Sequence, residues 1–512
     1  MSKRPSPSLM ERGCPSSVEV EISTSEDGGM RKNNIMNKDK NKFYVTTAIP
    51  YVNADPHIGH ALEFVQTDVI ARYHQQKGED VYFLTGADEN SLKNVQSAEK
   101  AGISVQDFVN QGSQKLIDLT RAYNISNNDF IKTSAEFHKK AAQKLWNACQ
   151  KEDIYKKHYK GYYCVGCEAF VTEKDLVDGK CPEHQTEPEI VEEENYFFKL
   201  SNYQDKLYKL IESNEYQVIP QTRKNEVLSF IKMGLEDFSI SRSVERAHNW
   251  GVVVPDDDSQ IMYVWYDALS NYITGLDYLN EGELYQKYWP ADLHVIGKGI
   301  SRFHAIYWPA MLMSAGLLLP KKLFVHGYVN IKGEKMSKSL GNAIDPLKLV
   351  NKYGTDPIRY YLLRYIHPFE DSDFSIEHLE GVYNSDLANG IGNLVSRTAN
   401  MIEKNKLNIK VKKLDFIENE LVEEYKFHEA LKEINDLATD IDQLIDREKP
   451  WALVKSDRSK AEEVLQEAVD KILIMANKLE CFLPETAEKI KNIFTAKKIK
   501  KPSEPLFPRL NK

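Results

Sequence analysis

The chain has no run of about twenty apolar residues anywhere in its 512 positions, which excludes a helical membrane span. It lacks the cysteine density of a disulfide scaffold. Six cysteines are present, and Cys164, Cys167 and Cys181 fall within eighteen positions, a pattern that suggests a reducing compartment and a metal site. There is no basic excess either: 67 Lys and Arg face 76 Asp and Glu, a net charge of −9. Nonspecific coating of nucleic acid is therefore excluded, and any nucleic-acid partner must be met by local patches. Residues 1–42 are almost free of large apolar side chains and lack the apolar segment of a secretory signal, so they are expected to be a disordered extension. Glu11, Glu19, Glu21, Glu26 and Asp27 argue against a mitochondrial leader, and the cytoplasm is the expected location. Aromatics are plentiful. The 27 Tyr, 20 Phe and 6 Trp can fill large cores, and the length suggests roughly three domains at about 150 residues each.

Order is expected to begin at Phe43. Phe43 to Ile49 is β-branched and aromatic, as a buried strand would be. Pro50 to Pro56 reads as a loop, and Gly59 to Lys77 carries helical spacing at Leu62, Val65, Val69, Ile70 and Tyr73, closed by Gly78. Val81 to Thr85 reads as another strand. Strand, helix, strand predicts a βαβ unit and a parallel sheet. Residues 155–240 differ in character and look like an insertion holding the cysteines and an acidic run, Glu187 to Glu194. Alternation resumes with a strand at Leu293–Ile296, a helix over Ser301–Ala315 and a strand at Leu323–Val325. After about residue 345 the pattern is almost wholly helical, which predicts a terminal bundle. The expected architecture is α/β: a Rossmann-like parallel-sheet catalytic domain with a zinc-bearing insertion, then an α-helical bundle. Its expected boundaries are 1–42 extension, 43–154 first half, 155–240 insertion, 241–345 second half, 346–385 linking region and 386–512 bundle.

Two short motifs carry the chemistry. His57-Ile-Gly-His60 lies between the first strand and its helix, where Gly59 lets a ligand approach the backbone and the helix dipole favours phosphate. Lys335-Met-Ser-Lys-Ser339 follows a later strand inside a loop bearing Gly333 and Gly341. Its lysines, Lys335 and Lys338, can neutralise a triphosphate and follow its charge into the transition state. Trp265, Ala268 and Tyr272 recur at i, i+3, i+7, and Ile300, His304 and Trp308 at i, i+4, i+8. Each set, if helical, lines one face. An aromatic wall of that kind suits a soft, unbranched thioether side chain; the simpler alternative is a satisfied core stripe. Cys164-x2-Cys167, thirteen residues, then Cys181-x2-His184 supplies three thiolates and an imidazole, the donor set of one closed, structural Zn²⁺ site.

The paired motifs, together with Ala48-Ile-Pro-Tyr51, Tyr263-Val-Trp-Tyr-Asp-Ala268, Phe303-His-Ala-Ile-Tyr-Trp-Pro309 and Gly234-Leu-Glu-Asp-Phe-Ser-Ile-Ser-Arg242, resemble the methionyl-tRNA synthetases of class I, over about Phe43 to Pro484. The resemblance implies ATP-dependent activation of L-methionine and transfer to the 3′ adenosine of tRNA(Met), with Mg²⁺ accompanying ATP. It implies an ATP site at His57, Gly59, His60, Lys335, Met336, Ser337, Lys338 and Ser339, with His57, His60, Lys335 and Lys338 catalytic. It implies a methionine pocket of Ile49, Tyr51, Trp265, Ala268, Leu269, Tyr272, Ile300, His304 and Trp308, with Asp88 holding the ammonium. A single zinc knuckle accords with one subset of the family.

Asn393, Arg397 and Trp451 match the family's anticodon contacts; residue types alone leave a solvated face and a packing anchor equally open. Nothing resembling an appended oligonucleotide-binding domain follows, so a monomer is expected. Two departures stand out. Asp88-Glu-Asn-Ser91 replaces the family's usual Asp-Glu-His-Gly, and Gly297-Lys-Gly299 replaces Gly-Lys-Asp, which predicts weaker ATP binding or a substitute contact. The rival readings are a ligase for another small acid and a catalytically silent tRNA-binding protein.

Overall fold

The structure is a computed structural model and describes residues 42–164, 169–171, 173, 176–182, 185–331, 333–335, 344–411 and 414–510. Cys167, His184, Met336, Ser337, Lys338 and Ser339 lie outside the described residues, as do residues 1–41, and Lys335 is described by its backbone alone.

The first strand, β1 (Lys42–Thr47), is followed by α1 (Ile58–Gln76), β2 (Asp80–Ala87), α2 (Leu92–Ala101), α3 (Val105–Ala122), β3 (Asp129–Lys132) and α4 (Glu136–Ala148). Seven of the eight β2 residues are buried, as expected of a strand covered on both faces by helices. A long antiparallel hairpin follows, β4 (Ile154–Cys164) against β5 (Glu189–Phe198). Here the acidic run finds its partners: Glu192 stands opposite Lys160, with their side chains 2.9 Å apart, and Glu194 opposite His158. Cross-strand pairing of unlike charges supports that register.

Three further strands complete the main sheet: β6 (Gln217–Ile219), β7 (Leu293–Gly297) and β8 (Lys322–His326). The sheet has six strands in the order β3-β2-β1-β7-β8-β6, all parallel. The stretch read as one insertion thus contributes an edge strand to the nucleotide sheet. Three residues, Gln-Val-Ile, carry too little periodicity to declare this in the sequence. The strand order runs outward in opposite directions from the β1–β7 pair. In an open parallel sheet that switch point leaves a crevice beyond the carboxyl ends of the two strands. Ala48, just past β1, donates its amide to Val295 of β7 at 3.1 Å.

Beyond the sheet the chain is mainly helical, as expected: α7 (Pro346–Tyr353), α8 (Thr355–Arg364), α9 (Asn393–Asn405), α10 (Phe427–Glu448), α11 (Pro450–Ser456), α12 (Arg458–Leu479) and α13 (Pro484–Phe494). Two helices the site needs flank β7 in the chain, α5 (Val264–Leu269) before it and α6 (Trp308–Ser314) between β7 and β8. The helix expected over Ser301–Ala315 is interrupted by a π-helical turn at Phe303–Tyr307. One hydrophobic core runs from α1 and β2 through α8 into α10, α12 and α13. Within it Arg359 is fully buried. It meets the fully buried Asp68 of α1 at 2.7 Å and donates to the carbonyls of Tyr123, Cys481 and Phe482.

Candidate active site

The crevice at the switch point opens into a cavity of about 790 Å³. One end is built on the start of α1. His57 is the N-cap: its Nδ1 accepts the Gly59 amide at 3.1 Å, while the His57 amide donates to His60 Nδ1 at 3.2 Å. This reciprocal pair holds the two rings stacked, centroids 3.8 Å apart. With both Nδ1 atoms accepting, each neutral ring carries its proton on Nε2. Two imidazole donors and a helix N-terminus together favour an anion. Gly297, Gly299, Tyr328 and the segment Ile344–Lys348 close this end of the cavity.

The other end is aromatic. Trp265 from α5 stacks on Phe303 at 3.9 Å, meets Tyr51 edge-on at 6.4 Å and lies 6.3 Å from His304. Tyr272 donates its hydroxyl to His304 Nε2 at 2.6 Å, and His304 Nδ1–H donates to the Ile300 carbonyl at 3.0 Å. Burial pushes His304 down to about 4, so the ring is neutral, as this bonding pattern requires. Burial also raises the Tyr272 hydroxyl well above its ordinary value, keeping it a donor. The indole N–H of Trp265 is buried without an acceptor among the described residues. Ile49, Ala48, Ala268 and Leu269 complete the wall.

Asp88, 2 % exposed, lies at the junction of the two ends. Its backbone bridges to Tyr51, and Oδ1 accepts the Asn90 amide at 3.1 Å. Asn90 takes the place of the family's histidine. Its side chain donates to the Thr133 carbonyl at 2.9 Å and to Asp267 Oδ2 at 2.6 Å, and the other oxygen of Asp267 meets His138 Nε2 at 2.7 Å. Asp267 sits on α5 beside Trp265, so this network couples the Asp88 loop to the aromatic wall.

The structure therefore brings His57, His60, Asp88, Ile49, Tyr51, Trp265, Ala268, Leu269, Tyr272, Ile300 and His304 to one cavity. Gly59 contributes its backbone at the head of α1. Trp308 is set apart. It is fully buried behind Tyr272, ring centroids 6.0 Å apart, and does not line the cavity. The widened π turn between His304 and Trp308 breaks the α-helical spacing on which their shared face was expected. Lys335 lies on a two-residue strand, Glu334–Lys335, paired with Asn330 and Ile331. Sequence spacing also passed over Glu63, which lines the cavity. Glu63 accepts the Ala48 amide at 2.8 Å and meets His326 Nε2 at 2.9 Å, tying α1 to the ends of β1 and β8. Its place in α1, one turn after His60, was the available signal.

Two more sets of expected residues lie elsewhere. Cys164 ends β4 and Cys181 lies beyond β4 in the hairpin; both thiols are buried. In the bundle, Asn393 and Arg397 are one turn apart on α9, and Arg397 lies 5.3 Å from the centroid of the Trp451 ring on α11. Arg397 is also paired with Asp446 and, at 3.4 Å, with Asp442 of α10. Trp451 is 45 % exposed although Pro450 beside it is buried.

A cavity that joins an anion-binding helix start to a closed aromatic wall at the switch point of a parallel sheet has the geometry for activating a small acid with a nucleotide. The family described as "tRNA synthetases class I (M)" matches residues 43–187 and 175–399. The chain belongs to this class I tRNA synthetase family. It is 45% identical over 475 residues to the methionine–tRNA ligase of Clostridium acetobutylicum, covering 88% of this chain and 73% of that protein. To the methionine–tRNA ligase of Brucella melitensis it is 43% identical over 479 residues, covering 89% and 92%. A solved structure of Mycobacterium tuberculosis methionyl-tRNA synthetase in complex with methionyl-adenylate superposes with a TM-score of 0.86 at 38% identity, covering 92% of this chain and all of that one. The apo form of the same mycobacterial enzyme gives a TM-score of 0.78 at 35% identity. Within the class, then, the chain is one of the methionyl-tRNA synthetases, ATP-dependent methionine–tRNA ligases.

Proposed function

We propose that this cavity performs both half-reactions of methionine–tRNA ligation with the residue roles that follow. Methionine enters the aromatic end, its thioether against Trp265, Tyr51 and the Tyr272–His304 pair and its ammonium on Asp88. ATP lies over the start of α1, phosphates toward His57, Gly59 and His60. A methionine carboxylate oxygen attacks the α-phosphorus, and the bond to the bridging oxygen breaks. Pyrophosphate leaves with that electron pair. Lys335 and Lys338, with Met336, Ser337 and Ser339 around them, neutralise the charge that develops on the departing phosphates. Mg²⁺ accompanies ATP. In the second step a hydroxyl of the 3′ adenosine of tRNA(Met) attacks the carbonyl carbon, and AMP departs. No covalent enzyme intermediate is required, so positioning and charge stabilisation carry the catalysis. The observation that carries this reading is the single cavity joining the stacked His57–His60 pair to the Trp265, Tyr272 and His304 wall through Asp88.

The donor set in the hairpin fits zinc. Cys164, at the end of β4, and Cys181 are buried thiols, and with Cys167 and His184 they make a four-ligand structural set that would hold Zn²⁺ and shape the hairpin. Cys164→Ser is expected to lose bound zinc, measured by metal analysis, and to lower stability; unchanged zinc content would remove the assignment. Arg397, Asn393 and Trp451 are proposed to read the anticodon, with residues 386–512 as the anticodon-binding domain, 346–385 as the stem-contact link and the chain acting as a cytoplasmic monomer.

The test is pyrophosphate exchange into ATP across all twenty amino acids without tRNA. Exchange with methionine alone is expected; exchange with another amino acid would overturn the pocket, and none at all would overturn the activation chemistry. Lys335→Ala should slow exchange by about 100-fold or more with little change in methionine binding. A parallel loss of methionine binding would refute its transition-state role.

A further inference from the structure

The nucleotide end of the cavity contains a glycine that backbone conformation does not demand. Gly299 is absent from the glycines with positive φ, so an ordinary side chain could adopt its backbone. What excludes one is a single atom. A Cβ on Gly299 would stand 2.2 Å from Tyr328 Oη, while the next nearest atom, Tyr328 Cζ, would be 3.5 Å away, an ordinary contact. The space beside residue 299 is thus given over to a phenol hydroxyl, and both residues line the cavity.

The backbone and ring of Tyr328 are held by their surroundings. The Tyr328 amide donates to Asp371 Oδ1 at 2.9 Å, and its carbonyl accepts from the Ser372 amide at 3.0 Å. Lys298 Nζ lies 4.4 Å from the ring centroid and is itself bonded to Asp371 at 2.6 Å. Gly327 lets the backbone of residues 370 and 371 close in, since a Cβ there would stand 2.2 Å from the Glu370 carbonyl oxygen. The nearest cation is therefore committed to a carboxylate, and what the wall offers the ligand here is a neutral group that both donates and accepts. A phosphate would call for a cation and a thioether for no polar group. The sugar diol of an adenylate matches, since its hydroxyls also donate and accept, and the adenine edge is the alternative that the deoxynucleotides below separate from it.

We propose that the Tyr328 hydroxyl is the hydrogen-bond partner of a ribose hydroxyl of the nucleotide, standing in the space that a side chain at position 299 would otherwise fill. The proposal rests on the reading of this cavity as the methionine and ATP site. It also supplies the substitute contact that the missing acidic residue at 299 calls for.

The experiment is methionine-dependent pyrophosphate exchange on the full chain with ATP, 2′-deoxy-ATP and 3′-deoxy-ATP. Tyr328→Phe is expected to raise the KM for ATP roughly three- to tenfold, the loss of one hydrogen bond, with the methionine KM unchanged. The penalty should vanish with the deoxynucleotide that lacks the contacted hydroxyl. Gly299→Ala should raise the ATP KM in the wild-type background and add nothing in Tyr328→Phe, where the clashing oxygen is gone. An equal penalty on all three nucleotides, no penalty at all, or an equal effect of Gly299→Ala in both backgrounds would each overturn the proposal. Failure of the wild-type chain to exchange with methionine would instead sink the reading on which it rests.

Discussion

The two candidate recognition surfaces are built from the same residue types but on opposite plans. In the cavity, His304, Tyr272, Asp88, Asn90 and Asp267 are all nearly inaccessible, and each is fixed by at least one hydrogen bond, several to partners far away in the chain. In the bundle, Arg397 and Trp451 are partly or largely exposed, and the guanidinium is held by Asp442 and Asp446 of one neighbouring helix. Burial raises the cost of an unpaired polar group, so the cavity has one arrangement and can discriminate a small side chain by fit. The bundle surface pays little to rearrange. Its carboxylates neutralise Arg397, and on the proposed reading a base of a splayed single-stranded loop would replace them.

The largest expected effect tests what joins the two regions. Arg359→Met would take from Asp68 its fully buried cation, leaving it only Arg72 and Ser126, and would leave three carbonyls without that donor. A loss of about 3–5 kcal/mol in urea unfolding is expected, falling on both activities together. Loss of tRNA charging with normal stability would mean that the joint is functional rather than structural.

A second effect belongs to the cavity alone. His304 has a folded-state value of about 4, against 6.5 ordinarily, and burial likewise holds His294 well below its ordinary value. The unfolded chain therefore binds protons between pH 6.5 and 4 that the folded chain refuses. Stability is fully present above pH 6.5 and is lost as the pH falls toward 4, by about 3 kcal/mol for His304. His304→Gln should flatten the dependence of unfolding free energy on pH over that window. An unchanged slope would show that the ring is not buried neutral. No comparable effect is expected from the bundle surface.

The smallest effect sharpens the contrast from the other side. Trp451→Ala should leave methionine-dependent pyrophosphate exchange intact and lower the kcat/KM for tRNA charging about tenfold or more, the value of one lost stacking contact at 1–3 kcal/mol. Equal losses in both assays would assign the indole to folding.

Much of this could be read from the chain. The parallel sheet was legible at β1, α1 and β2 because the central strands are rich in β-branched and aromatic residues and the helix between them carries apolar residues at helical spacing. His57 and His60 were legible because a capping pair sits next to itself in sequence. That Trp308 stands behind Tyr272 rather than on the cavity wall was not legible, because a π turn leaves no local signature, and β6 was missed because three residues carry too little pattern. The acidic run became intelligible only when β4 set Lys160 and His158 opposite Glu192 and Glu194.

The sequence by itself determined the alternation of strand and helix that makes a parallel sheet, the nucleotide chemistry and the class of amino acid. These depend on residue type and short spacing, which the chain states directly. Tertiary structure decided which of those residues share a cavity, that Asn90 reaches Asp267, and that Tyr328 occupies the space beside Gly299. Those are contacts between segments that only folding brings together, and their distances are set by the packing of the sheet and its loops rather than by any neighbour in sequence.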